Sequence, residues 1–203
     1  MNPQEFQQQT GLDDTALARL RAYVDLLTKW QARINLVSRA SLQDVWRRHV
    51  YDSAQLGPLL PEGAETLADL GSGAGFPGLV LAAITPLSTH LIESDGRKAA
   101  FLREAARAME LEVTVHAVRI EDLEAFEADV VTARALAPLA DLLGYTEPFL
   151  RGGGTGLFLK GKSADEELTV AAKQWTISAQ PIPSSSDPTG TILKLEGPLR
   201  RHV

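Results

Sequence analysis

No cysteine occurs anywhere in the 203 residues, which excludes disulfide bonds, thiolate metal sites and a cysteine nucleophile together. No metal site is expected. Long hydrophobic runs are missing too: none approaches the roughly 20 residues that a membrane-spanning helix requires, and the opening Met-Asn-Pro-Gln-Glu has no signal-peptide character. The expectation is a cytoplasmic protein with no membrane partner. Nor is there a surplus of positive charge. A net charge of −6 argues against a surface made for nucleic acid all over, although local charge can still differ. What is present, 44% hydrophobic and 23% charged residues, is ordinary for a globular chain long enough for one full α/β core plus an extension.

One stretch organises the rest: Thr66-Leu67-Ala68-Asp69-Leu70-Gly71-Ser72-Gly73-Ala74-Gly75-Phe76-Pro77-Gly78. A short apolar segment from Thr66 to Leu70 reads as a buried strand, and glycines at alternate positions 71, 73 and 75 read as a tight turn. A helix from about Phe76 to Thr85 follows, with Pro77 in its first turn, and stops at Pro86. A strand, a glycine turn and a helix start make a ligand-binding edge, because free N–H groups and the helix dipole face one crevice. Positions 73–78 also match the dinucleotide pattern Gly-x-Gly-x-x-Gly, and Glu93 follows about twenty residues later, so a nicotinamide cofactor has to be weighed. Against it, Pro77 removes a donor where a pyrophosphate would want one, and Asp69 ends the strand. An acid there suits a cationic, amine-bearing ligand such as S-adenosylmethionine better than a diphosphate.

Before this stretch, residues 1–12 read as a polar, poorly anchored start. Asp13 or Asp14 then caps a helix with Leu17, Leu20, Val24 and Leu27 at helical spacing, and Trp30 reads as a packing residue. Between Lys29 and Tyr51 five bases, Lys29, Arg33, Arg39, Arg47 and Arg48, stand against the single acid Asp44. That local balance of +4 in an acidic chain makes a nucleic-acid face plausible, with a solvated helix surface as the alternative. Ser41 is the expected cap of a second helix.

Beyond Gly63 strands and helices alternate, as in a parallel doubly wound sheet. Strands are expected over 89–93, 113–118, 128–133 and 155–159, and helices over 96–109, 138–150 and 163–173, the last capped by Ser163 with Glu166. Segments 175–182 and 191–195, joined by a connection too short for a crossover helix, are expected to pair as an antiparallel edge hairpin. The expected fold is α/β and Rossmann-like, a class I methyltransferase sheet of seven mostly parallel strands ending in that hairpin. Residues 1–62 form an N-terminal helical extension and 63–203 the cofactor-binding domain.

In such a sheet the ligand crevice lies outside the strand carboxyl ends. That edge collects Asp69 with Gly71, Gly73 and Gly75, then Glu93, Ile120 with Glu121, Arg134 and Lys160. Glu93 suits two ribose hydroxyls, and Ile120 and Glu121 suit the flanks of an adenine. Arg134, directly after an apolar run, is costly to desolvate unless it meets an anion or a carboxylate, Asp69 and Asp129 being the structural candidates. Methylation at pyrimidine carbon five normally needs a cysteine, and exocyclic amino methylation an Asp or Asn followed by Pro-Pro; the chain has neither. A purine ring nitrogen with a free lone pair needs only to be held in line, so catalysis would be mostly orientation.

These residues carry a resemblance. The chain resembles the bacterial small-subunit ribosomal RNA guanine-N7 methyltransferases, the RsmG or glucose-inhibited division protein B family, over about residues 25 to 170. The motifs are Ile34-Asn35-Leu36-Val37-Ser38, Arg48-His49-Val50-Tyr51-Asp52-Ser53, the glycine stretch, Glu93-Ser94-Asp95-Gly96-Arg97-Lys98, Val118-Arg119-Ile120-Glu121, Thr132-Ala133-Arg134-Ala135 and Lys160-Gly161-Lys162. The resemblance implies S-adenosylmethionine contacts at Gly71, Phe76, Ile120, Glu121 and Arg134, with Glu93 on the ribose and Arg134 as the catalytic candidate. It implies RNA-facing residues at Asn35, Arg48, His49 and Lys160, beside which Arg47 and Lys162 belong by charge. The implied partner is 16S ribosomal RNA or a pre-ribosomal particle, met by a monomer. A NAD-dependent oxidoreductase and a non-catalytic nucleotide-binding module remain the alternatives, and the Ser184 to Asp187 loop has no assignable role.

Overall fold

In the computed structural model, which describes residues 1–150 and 152–202, the chain does not open loosely. Pro3–Thr10 forms helix α1, closed by a reciprocal cap in which the Asn2 side chain accepts the Glu5 N–H and the Glu5 carboxylate accepts the Asn2 N–H. Its single aromatic, Phe6, is fully buried with its ring 5.5 Å from that of Trp46. Polar neighbours hide that anchor from a hydropathy reading. Helix α2 (Asp14–Gln31) is capped by Asp13 and buries Leu17, Leu20, Val24 and Leu27 as their spacing predicts. Trp30 packs its edge on Phe101, centroids 5.7 Å apart.

The basic stretch is broken into short turns. Helix α3 (Arg39–Leu42) is capped by Ser38, whose hydroxyl accepts the Ser41 N–H, so Ser41 lies inside the helix it was expected to cap. Trp46–Tyr51 then winds as a π-helix, a wide turn frequent at functional sites, and runs into α4 (Asp52–Ala54). Trp46, His49 and Val50 face inward from it, while Arg47 and Arg48 stay exposed.

Strand β1 (Thr66–Leu70), helix α5 (Gly78–Ile84), β2 (Ser88–Ile92), α6 (Gly96–Ala108), β3 (Val113–His116), β4 (Val130–Arg134), α7 (Leu139–Thr146), β5 (Thr155–Lys160), α8 (Ala164–Ala171), β6 (Trp175–Pro183) and β7 (Thr191–Arg201) complete the chain. The seven strands form one sheet in the order β3-β2-β1-β4-β5-β7-β6. The first five are parallel and β7 is antiparallel to both neighbours. Alternation along β1 decides the layers. Leu67 joins a cluster with Leu81, Val130 and Leu157 beneath α5, and Ala68 and Leu70 join Val131, Phe158, Leu139 and Leu143 beneath α7. The first-face core continues through Leu79, Phe101 and Leu102 into α2.

Helix α5 begins at Gly78, with Pro77 at its N-cap position and not in its first turn, and two later helices also depart from expectation. The helix over 138–150 ends at Thr146 and passes into a tighter turn, Glu147–Phe149, because the Pro148 ring has no N–H and would crowd the carbonyl four residues back. At α8 the Ser163 hydroxyl makes no cap hydrogen bond; it donates to Glu167, 2.9 Å away, and Glu166 takes no part.

Candidate active site

At the carboxyl ends of the parallel strands the sheet opens into a cleft of about 1120 Å³. Its floor is the glycine turn after β1. Gly71 and Gly75 have φ of 65° and 94°, the left-handed region that side chains avoid. A Cβ on Gly71 would lie 2.6 Å from Leu136, and one on Gly75 would lie 2.5 Å from Leu79. Of the expected glycines, 71 and 73 line the cleft. Gly75 is buried beneath it, over α2, where the Tyr23 hydroxyl donates to the Ala74 carbonyl.

Three N–H groups of this turn are not free, contrary to expectation. That of Ser72 donates to the Ile92 carbonyl at 3.0 Å, that of Gly73 to Glu93 Oε2 at 2.8 Å, and that of Gly75 to the Ser72 carbonyl at 2.7 Å. With these three amides engaged, the turn offers fewer of the donors through which a diphosphate binds.

Asp69, expected on a ligand, does not reach the cleft: it is fully buried on the α5 face of the sheet and accepts the Thr132 hydroxyl at 2.7 Å. Its Oδ2 has no well-aligned donor among the described residues and lies against Gly78, where a Cβ would approach it to 2.6 Å. Burial pushes its pKa up to about 6, against the hydrogen bond from Thr132. The strand alternation that points Leu70 and Ala68 to one face points this carboxylate to the other.

On one side of the turn stands Glu93. It is 7% exposed, and its two oxygens accept the N–H groups of Gly73 and Asp95, each at 2.8 Å. Each oxygen keeps a lone pair for a further donor. Ile120 and Glu121, in the 3₁₀ turn Ile120–Asp122, line the same end with Val118 and Ile92. Apolar walls between two acids suit a nucleoside with its hydroxyls toward Glu93.

On the other side Phe76 is the hub. His49 stacks on its ring, and Arg134, the last residue of β4, lies over it at 5.0 Å. Arg134 meets neither Asp69 nor Asp129. It faces Asp52, with Nη1 3.5 Å from Oδ2, and donates to the Arg48 carbonyl at 3.3 Å, while Asp129 accepts the N–H groups of Glu65 and Thr66. The next residue, Ala135, has φ of 53°, an unfavourable conformation for a residue with a Cβ, as often found beside functional sites. His49 is 8% exposed, lines the cleft, and has no hydrogen-bond partner on either ring nitrogen among the described residues. Burial, reinforced by the charges of Arg134 and Arg48, pushes its pKa down to about 3, so the ring is neutral near pH 7.

The basic residues divide. Arg48, His49 and Lys160 line the cleft, whereas Asn35, Arg47 and Lys162 are exposed outside it. Arg47 pairs with Asp44 at 2.6 Å, Arg48 with Asp187 at 2.7 Å and Lys160 with Glu167 at 2.8 Å. Lys160 also donates to the Ala137 carbonyl, and its side chain is 8% exposed. It is a buried brace between β5 and α8 more than a free cation. Asp52, Glu167 and Leu136 also line the cleft, as do Ser184, Ser186 and Asp187 from the β6–β7 connection. Asp52 stands inside a quoted motif and could have been found there; the serine loop carried no signal.

A family model described as "GidB: rRNA small subunit methyltransferase G" matches residues 16–189. The ribosomal RNA small subunit methyltransferase G of Paramagnetospirillum magneticum is 56% identical over 195 residues, 96% of this chain and 95% of the relative. That of Rhodospirillum rubrum is 53% identical over 195 residues, 96% and 97%. Among solved structures, a putative O-methyltransferase from Klebsiella pneumoniae matches with a TM-score of 0.59 at 14% identity, over 91% of this chain and 90% of that one. A SAM-dependent O-methyltransferase from Thermotoga maritima matches with a TM-score of 0.58 at 14% identity, over 89% and 73%. The distant structures establish the class I methyltransferase fold, and with the matches that span nearly its whole length the chain belongs to the rRNA small subunit methyltransferase G family.

Proposed function

We propose that the protein transfers a methyl group from S-adenosylmethionine to N7 of a guanine in small-subunit 16S ribosomal RNA, acting as a cytoplasmic monomer on the RNA or a pre-ribosomal particle. The observation that carries this reading is a single cleft with two unlike ends: the glycine turn with Glu93 at one, and the Phe76–His49–Arg134 group at the other. In our assignment residues 63–203 supply the cofactor end, and residues 1–62 supply Arg48, His49 and Asp52 to the other.

The residues present fit the cofactor better than a dinucleotide. The internally bonded amides of Ser72, Gly73 and Gly75 disfavour a diphosphate, and the bare face of Gly73, with nothing nearer a would-be Cβ than the Gly71 carbonyl at 3.7 Å, admits a ligand against the backbone. Gly71, Gly73, Glu93, Ile120 and Glu121 would hold it, with Glu93 accepting from ribose hydroxyls and Phe76, which follows the glycine turn directly, meeting it where the two ends join. When bound, it supplies an electrophilic methyl group on a sulfonium.

Guanine N7 bears a lone pair and no proton, so this chain needs no general base. His49 is neutral in the cleft and, with its pKa pushed down to about 3, only a weak base. The work left to the protein is placement. Arg134 supplies donors to acceptors on the base or cofactor, and His49 offers a ring nitrogen to the RNA from a water-poor wall.

The test is methyl transfer to small ribosomal subunits isolated from a strain lacking this methyl group, with 7-methylguanosine quantified and mapped. Incorporation at one guanine is expected. No incorporation, together with calorimetric binding of NAD and none of S-adenosylmethionine or its demethylated product, would overturn the reading.

A further inference from the structure

The connection between β6 and β7 reaches back across the cleft to the π-helix and α4. The Ser185 N–H donates to Gln55 Oε1 at 2.8 Å, Gln55 Nε2 donates to Ser184 Oγ at 3.0 Å, and Arg48 pairs with Asp187. Ser186 is the unusual member. Its neighbour Ser185 and the following Pro188 and Thr189 are exposed, yet Ser186 is 3% exposed, and its hydroxyl donates to Asp52 Oδ1. Asp52 is the carboxylate that faces Arg134.

We propose that Ser186 is a positioning residue for Arg134, acting through Asp52. A carboxylate and a guanidinium left to themselves close into a bidentate pair with two short bonds. Here the approach stops at a single 3.5 Å contact. Oδ1 is held away by two donors, the Ser186 hydroxyl and Gln55 Nε2 at 3.0 Å, so that Oδ2 alone is presented. Arg134 stays charged and oriented but keeps most of its five donors for the cleft. The hydroxyl thus limits an ion pair.

Without that hydroxyl, Asp52 turns both oxygens to Arg134 and draws the guanidinium out of the cleft. Asp52 is not left unpaired, because Gln55 remains, so folding is spared. The inference depends on the proposed function for its rate readout alone.

The experiment compares wild type with Ser186→Ala, Asp52→Asn and the double variant. Rotation of the Arg134 guanidinium is followed by NMR of isotope-labelled arginine in the protein without ligand. Single-turnover methyl transfer to small ribosomal subunits is measured alongside. In Ser186→Ala the rotation is expected to slow roughly tenfold as the pair becomes bidentate, and methyl transfer to fall roughly 10- to 100-fold, with the melting temperature nearly unchanged. In the Asp52→Asn background, where no ion pair can tighten, removing the hydroxyl is expected to change neither readout further. Unchanged rotation in Ser186→Ala overturns the inference, as does an effect of equal size with and without the Asp52 carboxylate. Slowed rotation in a protein inactive on every ribosomal substrate would support the positioning role and count against the proposed reaction.

Discussion

His49 lies nearly flat on Phe76, ring centroids 4.8 Å apart and planes inclined by 20°. Burial in this wall, with the charges of Arg134 and Arg48 beside it, keeps an imidazole that has no hydrogen-bond partner among the described residues neutral, and that has a cost in acid. The unfolded chain takes up a proton near pH 6.5 whereas the folded one resists to about pH 3, so stability is full above pH 6.5 and falls as the pH drops through that window. The loss should be about 1.4 kcal/mol per pH unit below 6.5. Urea unfolding from pH 7 to 4.5 of wild type and His49→Gln should show the difference. Asp69, with its pKa raised to about 6, contributes the opposite slope between about pH 4 and 6, and it cancels in the comparison. Parallel curves would show that the ring is not buried neutral.

Glu93 has two duties, because the oxygens offered to a ribose also hold Gly73 and Asp95. Glu93→Ala should weaken binding of the demethylated cofactor by about 1.5 to 3 kcal/mol, the range for hydrogen bonds to a charged group. Glu93→Gln loses the Gly73 or the Asp95 bond but keeps the bulk, and should weaken it less. Calorimetry decides; equal affinities for all three proteins would remove Glu93 from the cofactor site.

Arg48, Arg47 and Lys160 should respond differently to salt. Arg48 is 45% exposed at the side chain and lies in the cleft, and it can exchange Asp187 for a phosphate. Arg48→Ala should therefore reduce the log-log salt slope of RNA binding by roughly 0.7 to 0.9. Arg47→Ala and Lys160→Ala should leave it unchanged, since Arg47 lies outside the cleft and Lys160 is braced against Glu167. An unchanged slope for Arg48→Ala, or a reduced one for Lys160→Ala, would move the phosphate contacts elsewhere.

Phe6 should matter more than its place in a polar opening suggests. Its ring packs on Trp46 and at 6.5 Å on Tyr51, the two ends of the π-helix that carries Arg48 and His49. Phe6→Ala should cost about 3 to 5 kcal/mol of stability, measurable by denaturant unfolding. A cost below 1 kcal/mol would mean that α1 is a dispensable lid on that turn.

Much of the sheet was legible because strand and turn signals are local: β1 occupies the segment its apolar run marks, and the edge hairpin follows from a connection too short for a crossover helix. Asp69 was placed on the wrong side of the site because a residue at a strand end can face either layer, and the choice depends on which neighbours bury Leu67 and Ala68. The basic stretch was legible as charge but not as chemistry. Counting cations along 23 residues does not reveal that Arg48 finds its acid 139 positions away, just as the position of Lys160 at a strand end does not reveal that it turns inward. Ser184 to Asp187 was unreadable for the same reason, its meaning lying in Gln55, Asp52 and Arg48.

The strand order has a consequence for how such enzymes can diversify. Because β7 runs against β5, and β6 against β7, the β6–β7 connection must return to the edge where the parallel strands end, with Thr191 opposite Lys160. Floor and roof of the cleft are therefore written in separate parts of the chain, the floor between Gly71 and Glu121, the roof in the π-helix and the late hairpin. Lengthening or recharging the hairpin would re-tune which RNA is admitted while the nucleoside end stayed intact, so recognition and chemistry can drift at different rates within one small domain.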